Sequence, residues 1–218
     1  MPCPDSRFLN WKLGWLNGEI RFFFMLKIGV LTFQGGVIEH INATKSAAKA
    51  LNVECELVPV KYNGQFDSLD GLIIPGGEST TLCKLIEREG VMAEMKLIKN
   101  IFGTCAGAIM LAKEVKNGLQ DQKTLECMNI GVDRNAYGTQ SESFETDIDG
   151  ELGRIHAVFI RAPKITKIGK NIEILAKYSG EVVACSELTG GKFYLATAFH
   201  PELTTTRFHE YFLKMCSR

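Results

Sequence analysis

From residue 26 onward the chain alternates short apolar runs with segments of helical periodicity, and glycine or proline stands at many of the junctions. Lys27–Phe33 (KIGVLTF), Val53–Val60, Gly71–Ile74 (GLII) and Ile101–Thr104 are too short for ordinary helices. All four read as strands of a parallel sheet with helices on both faces, and Lys27–Phe33, Gly71–Ile74 and Ile101–Thr104 are too continuously apolar for strands with one wet face. Val37, Ile38, Ile41, Ala48 and Leu51 recur at helical spacing between the first two runs. Leu82, Leu85, Ile86 and Met92 do so after the third, and Ala106–Val115 reads as a further helix. The expected fold is α/β: a mostly parallel, open, flavodoxin-like sheet in three layers, with helices on both faces.

The second half changes character. Asn129–Val132, His156–Ile160, Ile172–Tyr178, Val182–Ser186 and Phe193–Phe199 read as strands with little helix between them. A mixed or antiparallel section is therefore expected to extend the sheet, before Phe208, Tyr211, Phe212 and Met215 close the chain as an amphipathic helix. Neither an internal repeat nor a linker-like stretch interrupts this pattern, so residues 25–218 read as one domain. Residues 1–24 (MPCPDSRFLNWKLGWLNGEIRFFF) stand apart, with both tryptophans and an aromatic run. They read as an N-terminal extension, either a non-native upstream sequence or a poorly ordered tail, with Met25 as the natural start. An added helix docked on the domain is the alternative. Lys12, Glu19 and Arg21 interrupt the segment, which suits neither a signal peptide nor a membrane span.

Lys+Arg and Asp+Glu each total 25, a formal net charge of zero. Binding to nucleic acid would call for a basic surplus, so neither a nucleic-acid partner nor a membrane is expected. The seven cysteines, at 3, 55, 83, 105, 127, 185 and 216, are odd in number and nowhere spaced C-x-x-C. That pattern fits reduced thiols in the cytoplasm, with no disulfide framework and no metal cluster.

Three loops after apolar runs carry chemistry. Gly103-Thr104-Cys105-Ala106-Gly107 joins a strand to a helix in the manner of a nucleophile elbow, with cysteine in the reactive place. Such a turn strains the nucleophile's backbone, sets it at a helix start where thiolate is favoured, and aims the Ala106 amide at a developing oxyanion. Taken alone, the motif also fits a structural cysteine between chance glycines. Phe199-His200-Pro201-Glu202 supplies a base and a carboxylate to orient it. The other reading of a lone His-x-Glu is a surface loop. Pro75-Gly76-Gly77-Glu78-Ser79-Thr80-Thr81 opens a helix with bare amides able to meet an anion. It lacks the lysine and spacing of a phosphate loop. It reads better as the second half of an oxyanion hole and a docking edge for a substrate's carboxylate and amine, or else as a capped Gly-Gly turn. His40 reads as a solvated helix residue, with an interface role as the alternative, and His156 and His209 carry no partner signal. The cysteines other than Cys105 read as core or surface thiols.

PGGEST, GTCAG and FHPE, in that order, resemble the triad-type (class I) glutamine amidotransferases. With MLKIGVLTFQG, RNAYGTQSESFE, FIRAPKI and AFHPELT added, the chain from Met25 on resembles the glutaminase subunits of two-component pyridoxal 5′-phosphate synthases. The resemblance implies that Cys105 attacks the amide of L-glutamine and that His200, oriented by Glu202, manages the protons. It implies an oxyanion hole from Gly77 and Ala106, and glutamine contacts from Gly77, Glu78, Ser79, Arg134, Ile160 and Arg161. It also implies a (β/α)₈ synthase partner in a large hetero-oligomer, and no bound cofactor, pyridoxal phosphate being the product. Thr139 stands where the resemblance leads one to expect arginine, and Gly36 where related chains vary. Other readings on the same fold are a glutaminase for another pathway, a Cys-His peptidase or γ-glutamyl hydrolase, and a non-enzymatic binding module.

Overall fold

The computed structural model describes residues 11–16, 19–118, 122–134 and 143–218, with backbone alone before residue 25. In chain order the elements are β1 (Trp11–Leu16), β2 (Glu19–Leu31), α1 (Val37–Leu51), β3 (Glu54–Val60), β4 (Gly71–Ile74), α2 (Ser79–Glu89) and α3 (Met92–Leu97). There follow β5 (Asn100–Thr104), α4 (Ala106–Leu111), β6 (Ala112–Lys116), β7 (Met128–Asp133), β8 (Phe144–Ile148), β9 (Ile155–Phe159) and β10 (Lys164–Ile168). The chain ends with β11 (Ile172–Tyr178), β12 (Glu181–Thr189), β13 (Lys192–Thr197), a 3₁₀ turn (Pro201–Leu203) and α5 (Arg207–Cys216).

The main sheet runs β3-β2-β4-β5-β13-β12-β11. Its first five strands are parallel, and β12 and β11 continue it antiparallel, which is the mixed section expected from the sequence. Alternate side chains of the central strands divide between two cores. Leu26, Ile28, Val30, Ile73, Phe102 and Leu195 pack toward α1 and α5. Leu31, Leu72, Ile74, Ile101 and Ala196 pack toward α2, α3 and α4. Each fully buried Leu, Ile or Phe contributes about 1.5–3 kcal/mol, which is why the continuous apolar runs dictate a sheet covered on both faces.

Register decides where the chemistry sits. Ile74 lies opposite Gly103 and Thr104 opposite Thr197, so β4, β5 and β13 end at nearly one level as adjacent parallel strands. The Pro-Gly-Gly loop, Cys105 and His200 therefore leave the same carboxyl edge of the sheet, where open α/β sheets bind their ligands.

Several elements differ from the sequence reading. Met92 does not extend α2, because Gly90 takes a left-handed backbone (φ +68°) that caps that helix, and α3 begins separately. The expected helix over Ala106–Val115 stops at Leu111. The rest becomes β6, held in a small three-stranded sheet with β7 and β10, so tertiary pairing overrides local helical preference. β8 and β9 form a separate hairpin. On it His156 lies exposed between Asp147 (2.9 Å) and Glu145 (3.0 Å), a partnership its sequence context did not signal.

The buried face of α1 is also shifted. It consists of His40, Ala43, Thr44, Ala47 and Ala48, while Ile38 is 68% exposed. His40 is the fourth residue of that helix and is fully buried, not solvated. At the N-terminus, β1 pairs antiparallel with Glu19–Phe24 of β2, so strands stand where an added helix was the alternative. Thr139, most of RNAYGTQSESFE and the middle of the polar segment 116–126 fall outside the described residues.

Candidate functional site

Cys105 sits between β5 and α4 with φ +49° and ψ −106°, a backbone that costs a non-glycine residue about 1–3 kcal/mol. The strain is held by close packing on both sides. A Cβ on Gly103 would lie 2.4 Å from the Gly107 carbonyl, and one on Gly107 would lie 2.0 Å from the carbonyl oxygen of Ile74. Only glycine fits either place, which explains the spacing of the elbow. The Cys105 amide donates to the Thr197 carbonyl (2.8 Å), tying the elbow to β13. Cys105 is buried and its Sγ lies 3.8 Å from the Ile160 carbonyl oxygen.

His200 follows β13, and its amide donates to the Val158 carbonyl (2.9 Å) on β9. Its Nδ1 is 2.7 Å from Oε1 of Glu202, whose side chain is 1% exposed. Burial pushes the His200 pKa down, but hydrogen bonds with Cys105 and Glu202 and the charges of both outweigh it and lift the imidazole to about 10. The ring is thus held protonated at neutral pH. Gly76 fills the corner where Cys105 and His200 meet: a Cβ there would lie 2.5 Å from His200 Cε1 and 3.2 Å from Cys105 Cβ.

The remaining candidates gather around this corner in two groups. Gly77 adopts φ +130°, and the side chain of Gln34 covers it while donating to the Glu78 carbonyl (2.8 Å). Ala106 is buried as the first residue of α4. Glu78 caps α2: its carboxylate accepts from the amides of Thr80 (3.0 Å) and Thr81 (2.6 Å) and from the Thr81 hydroxyl (2.7 Å). The amides expected to stand bare at this helix start are therefore occupied by the chain's own carboxylate. Burial opposes ionisation of Glu78, yet those hydrogen bonds hold its pKa down at about 2. Arg134, at the end of β7, reaches the same carboxylate with Nη2. Ser79 is buried within the first turn of α2. Ile160 and Arg161 follow β9, with Ile160 37% exposed beside Cys105 and Arg161 in a left-handed backbone (φ +46°).

Behind the pair lies a part of the site that the sequence reading did not assign. His40 Nε2 is 3.1 Å from Thr104 Oγ1 and 3.4 Å from Glu202 Oε1, and His40 Nδ1 is 3.0 Å from His209 Nε2. All of these side chains are buried. Burial, and then the neighbouring charges of His209 and His200, push the His40 pKa well down, while burial alone brings His209 to about 3. Both rings are neutral at ordinary pH.

A mainly parallel open sheet with a strained cysteine elbow on one strand end, and a histidine–carboxylate pair after the next, defines an α/β protein whose candidate site lies at the carboxyl edge of its sheet. The model of the SNO glutamine amidotransferase family matches residues 30–218, and the chain belongs to that family. Pyridoxal 5′-phosphate synthase subunit PdxT of Oenococcus oeni is 47% identical over 87% of this chain and 96% of its own length. The protein of the same name from Archaeoglobus fulgidus is 42% identical over 87% and 98%. A solved structure described as a glutamine amidotransferase superposes with a TM-score of 0.74 at 41% identity, covering 88% of this chain and 99% of the other.

Proposed function

We propose that this chain is the glutaminase subunit of a pyridoxal 5′-phosphate synthase, hydrolysing L-glutamine to L-glutamate and ammonia in the cytoplasm. The observation that carries the reading is the corner itself: a strained Cys105 and His200 meet around Gly76, and Glu202 holds the imidazole at 2.7 Å. The Cys105 thiolate adds to the side-chain amide carbon of glutamine. The C–N bond then breaks, His200 gives its proton to the departing nitrogen, and a glutamyl thioester remains on Cys105. Water, losing a proton to His200, attacks that thioester and releases glutamate and the thiol group.

The Gly77 and Ala106 amides are assigned to the oxyanion. Glu78 and Arg134 suit the two ends of the amino-acid group of the substrate: a carboxylate for its ammonium, a guanidinium fork for its carboxylate. Ser79, Ile160 and Arg161 complete the assigned glutamine contacts, and Ile160 is already beside the sulfur. The chain needs neither metal nor cofactor for these steps. Ammonia passes to a (β/α)₈ synthase subunit docked in a larger hetero-oligomer, which builds it into the vitamin. The relatives' name as synthase subunits supports that assignment of partner.

Ammonia release from glutamine, measured with and without the cognate synthase, tests the proposal. The expected result is turnover that rises on adding the synthase and vanishes in Cys105→Ala. Full turnover in Cys105→Ala would remove the nucleophile, and indifference to the synthase would remove the subunit role.

A further inference from the structure

The buried histidines His40 and His209 lie outside every role given above. They come from different helices, α1 and α5, yet they meet at 3.0 Å on the far side of Glu202 from His200. Two buried imidazoles in contact are costly to desolvate, and a core of this size could be filled by apolar side chains at less expense. Their placement offers a reason. His40 touches both halves of the site at once: Thr104, the residue before the nucleophile, and Oε1 of Glu202, the oxygen that also holds His200.

The proton positions follow from the partners. With both rings neutral, either His209 Nε2–H donates to His40 Nδ1, or His40 Nδ1–H donates to His209 Nε2. The second arrangement turns the bare lone pair of His40 Nε2 toward a carboxylate 3.4 Å away and buries an N–H at His209 Nδ1, which has no partner among the described residues. The first turns His40 Nε2–H toward both Glu202 Oε1 and Thr104 Oγ1, and leaves only an acceptor unmatched at His209 Nδ1. The first is the lower in energy, since it gives the carboxylate a second donor.

Resting on the glutaminase reading, we infer that His40 and His209 are positioning residues, a buried relay that locks Glu202 and joins it to the nucleophile's strand. The order is His209 to His40 to Glu202 to His200, with His40 also bracing Thr104. His40 donates to the carboxylate and His209 fixes the tautomer in which it can do so. Other charged or titratable groups facing His40 are His200 and Glu202 from the β13–α5 connection and His209 from α5; Glu39, beside it on α1, approaches Glu202 near Gly36. The relay moves no proton in the reaction. It keeps the carboxylate from swinging when His200 alternates between its charged and neutral forms.

The test uses the full chain with its synthase and compares His40→Phe, His40→Gln and His209→Phe. Phe keeps the ring packing against Phe102 but removes the N–H, while Gln restores a donor. The expected result for His40→Phe is a kcat lower by about tenfold with KM for glutamine unchanged, the loss of one hydrogen bond to a charged group. The pH dependence of Cys105 alkylation by iodoacetamide should also shift, because His200 is less firmly oriented. His40→Gln should recover most of the kcat, and His209→Phe should fall between. Wild-type kcat in a folded His40→Phe, or an equal loss in His40→Gln, overturns the relay. If His40→Phe does not fold, His209→Phe decides: wild-type kcat there overturns it, a several-fold loss with unchanged KM sustains it. Glu202→Gln separates the two levels of claim. An active Glu202→Gln removes the triad reading itself, whereas an inactive Glu202→Gln beside a fully active His40→Phe removes only the relay.

Discussion

Gly76→Ala places one methyl group where Cys105 and His200, the proposed nucleophile and base, meet. The backbone of Gly76 is outside the left-handed region, so alanine is not strained there by conformation. The new Cβ would lie 2.5 Å from His200 Cε1, about 0.9 Å inside the 3.4 Å at which ordinary contact begins, and 3.2 Å from Cys105 Cβ. Cys105 is pinned by its elbow and His200 by Glu202, so the relief comes from turning the imidazole away from the sulfur by most of that distance. Misplacement of a reacting group by about 1 Å costs on the order of 10²-fold in rate. Overpacking of this size costs about 1–3 kcal/mol in stability, a fall of several degrees in Tm for a chain of this length. The assay is kcat and KM for glutamine with the synthase present, alongside a thermal melt. The expected outcome is a folded protein with kcat reduced about a hundredfold. A folded Gly76→Ala with wild-type kcat would show that the corner drawn here is not where the reaction occurs.

Three further outcomes follow from the same geometry. Gly107→Ala drives a Cβ to 2.0 Å from the Ile74 carbonyl, a backbone atom of a central strand that has nowhere to go, so this variant should lose soluble folded protein where Gly76→Ala does not; recovery of a normally melting Gly107→Ala would contradict it. His200 has a folded pKa raised from 6.5 to about 10, so its pairing contributes stability that is complete below about pH 6.5 and is lost as pH rises through about 10. The Tm advantage of wild type over His200→Asn should accordingly shrink across that window, and an advantage that grows with pH would reverse the assignment. Arg134→Lys keeps the charge but not the fork, so KM for glutamine should rise about tenfold while Tm hardly moves, since a partly exposed pair contributes only about 0–1 kcal/mol. An unchanged KM would take Arg134 out of the substrate site.

The parts legible in the sequence were those fixed by short-range pattern. GLII, IFGT and the run before His200 read as strands because nothing else buries such segments, and the edge they share followed from their being parallel. Cys105 was legible as a candidate because it comes directly off β5, and His200 and Glu202 because they sit together in the short connection after β13. His40 was not. A polar residue on the buried stripe of a helix looks like a solvated one until the opposite helix is known, and Ile38 drew the apolar face toward the wrong side. The small residues Ala43 and Ala47, three and seven positions after His40, were the available sign that α1 lies close against a neighbour on that face. β6, β8 and β10 were missed because their polar, alternating sequences gain stability only from partners distant in the chain. Nor did the sequence tell that Glu78 caps its own helix, since a carboxylate beside Gly-Gly fits equally a cap and a ligand contact.

The most direct test of the central claim is to treat the chain, with its synthase, with a glutamine-mimicking diazo-ketone and to map the adduct by peptide mass spectrometry. There are seven cysteines to choose among, and most of the buried ones, such as Cys185 and Cys216, are held as unreactive thiols by burial. The account predicts one adduct, on Cys105, blocked by excess glutamine and absent in Cys105→Ala. Labelling at another cysteine, or none at all with the synthase present, would contradict it.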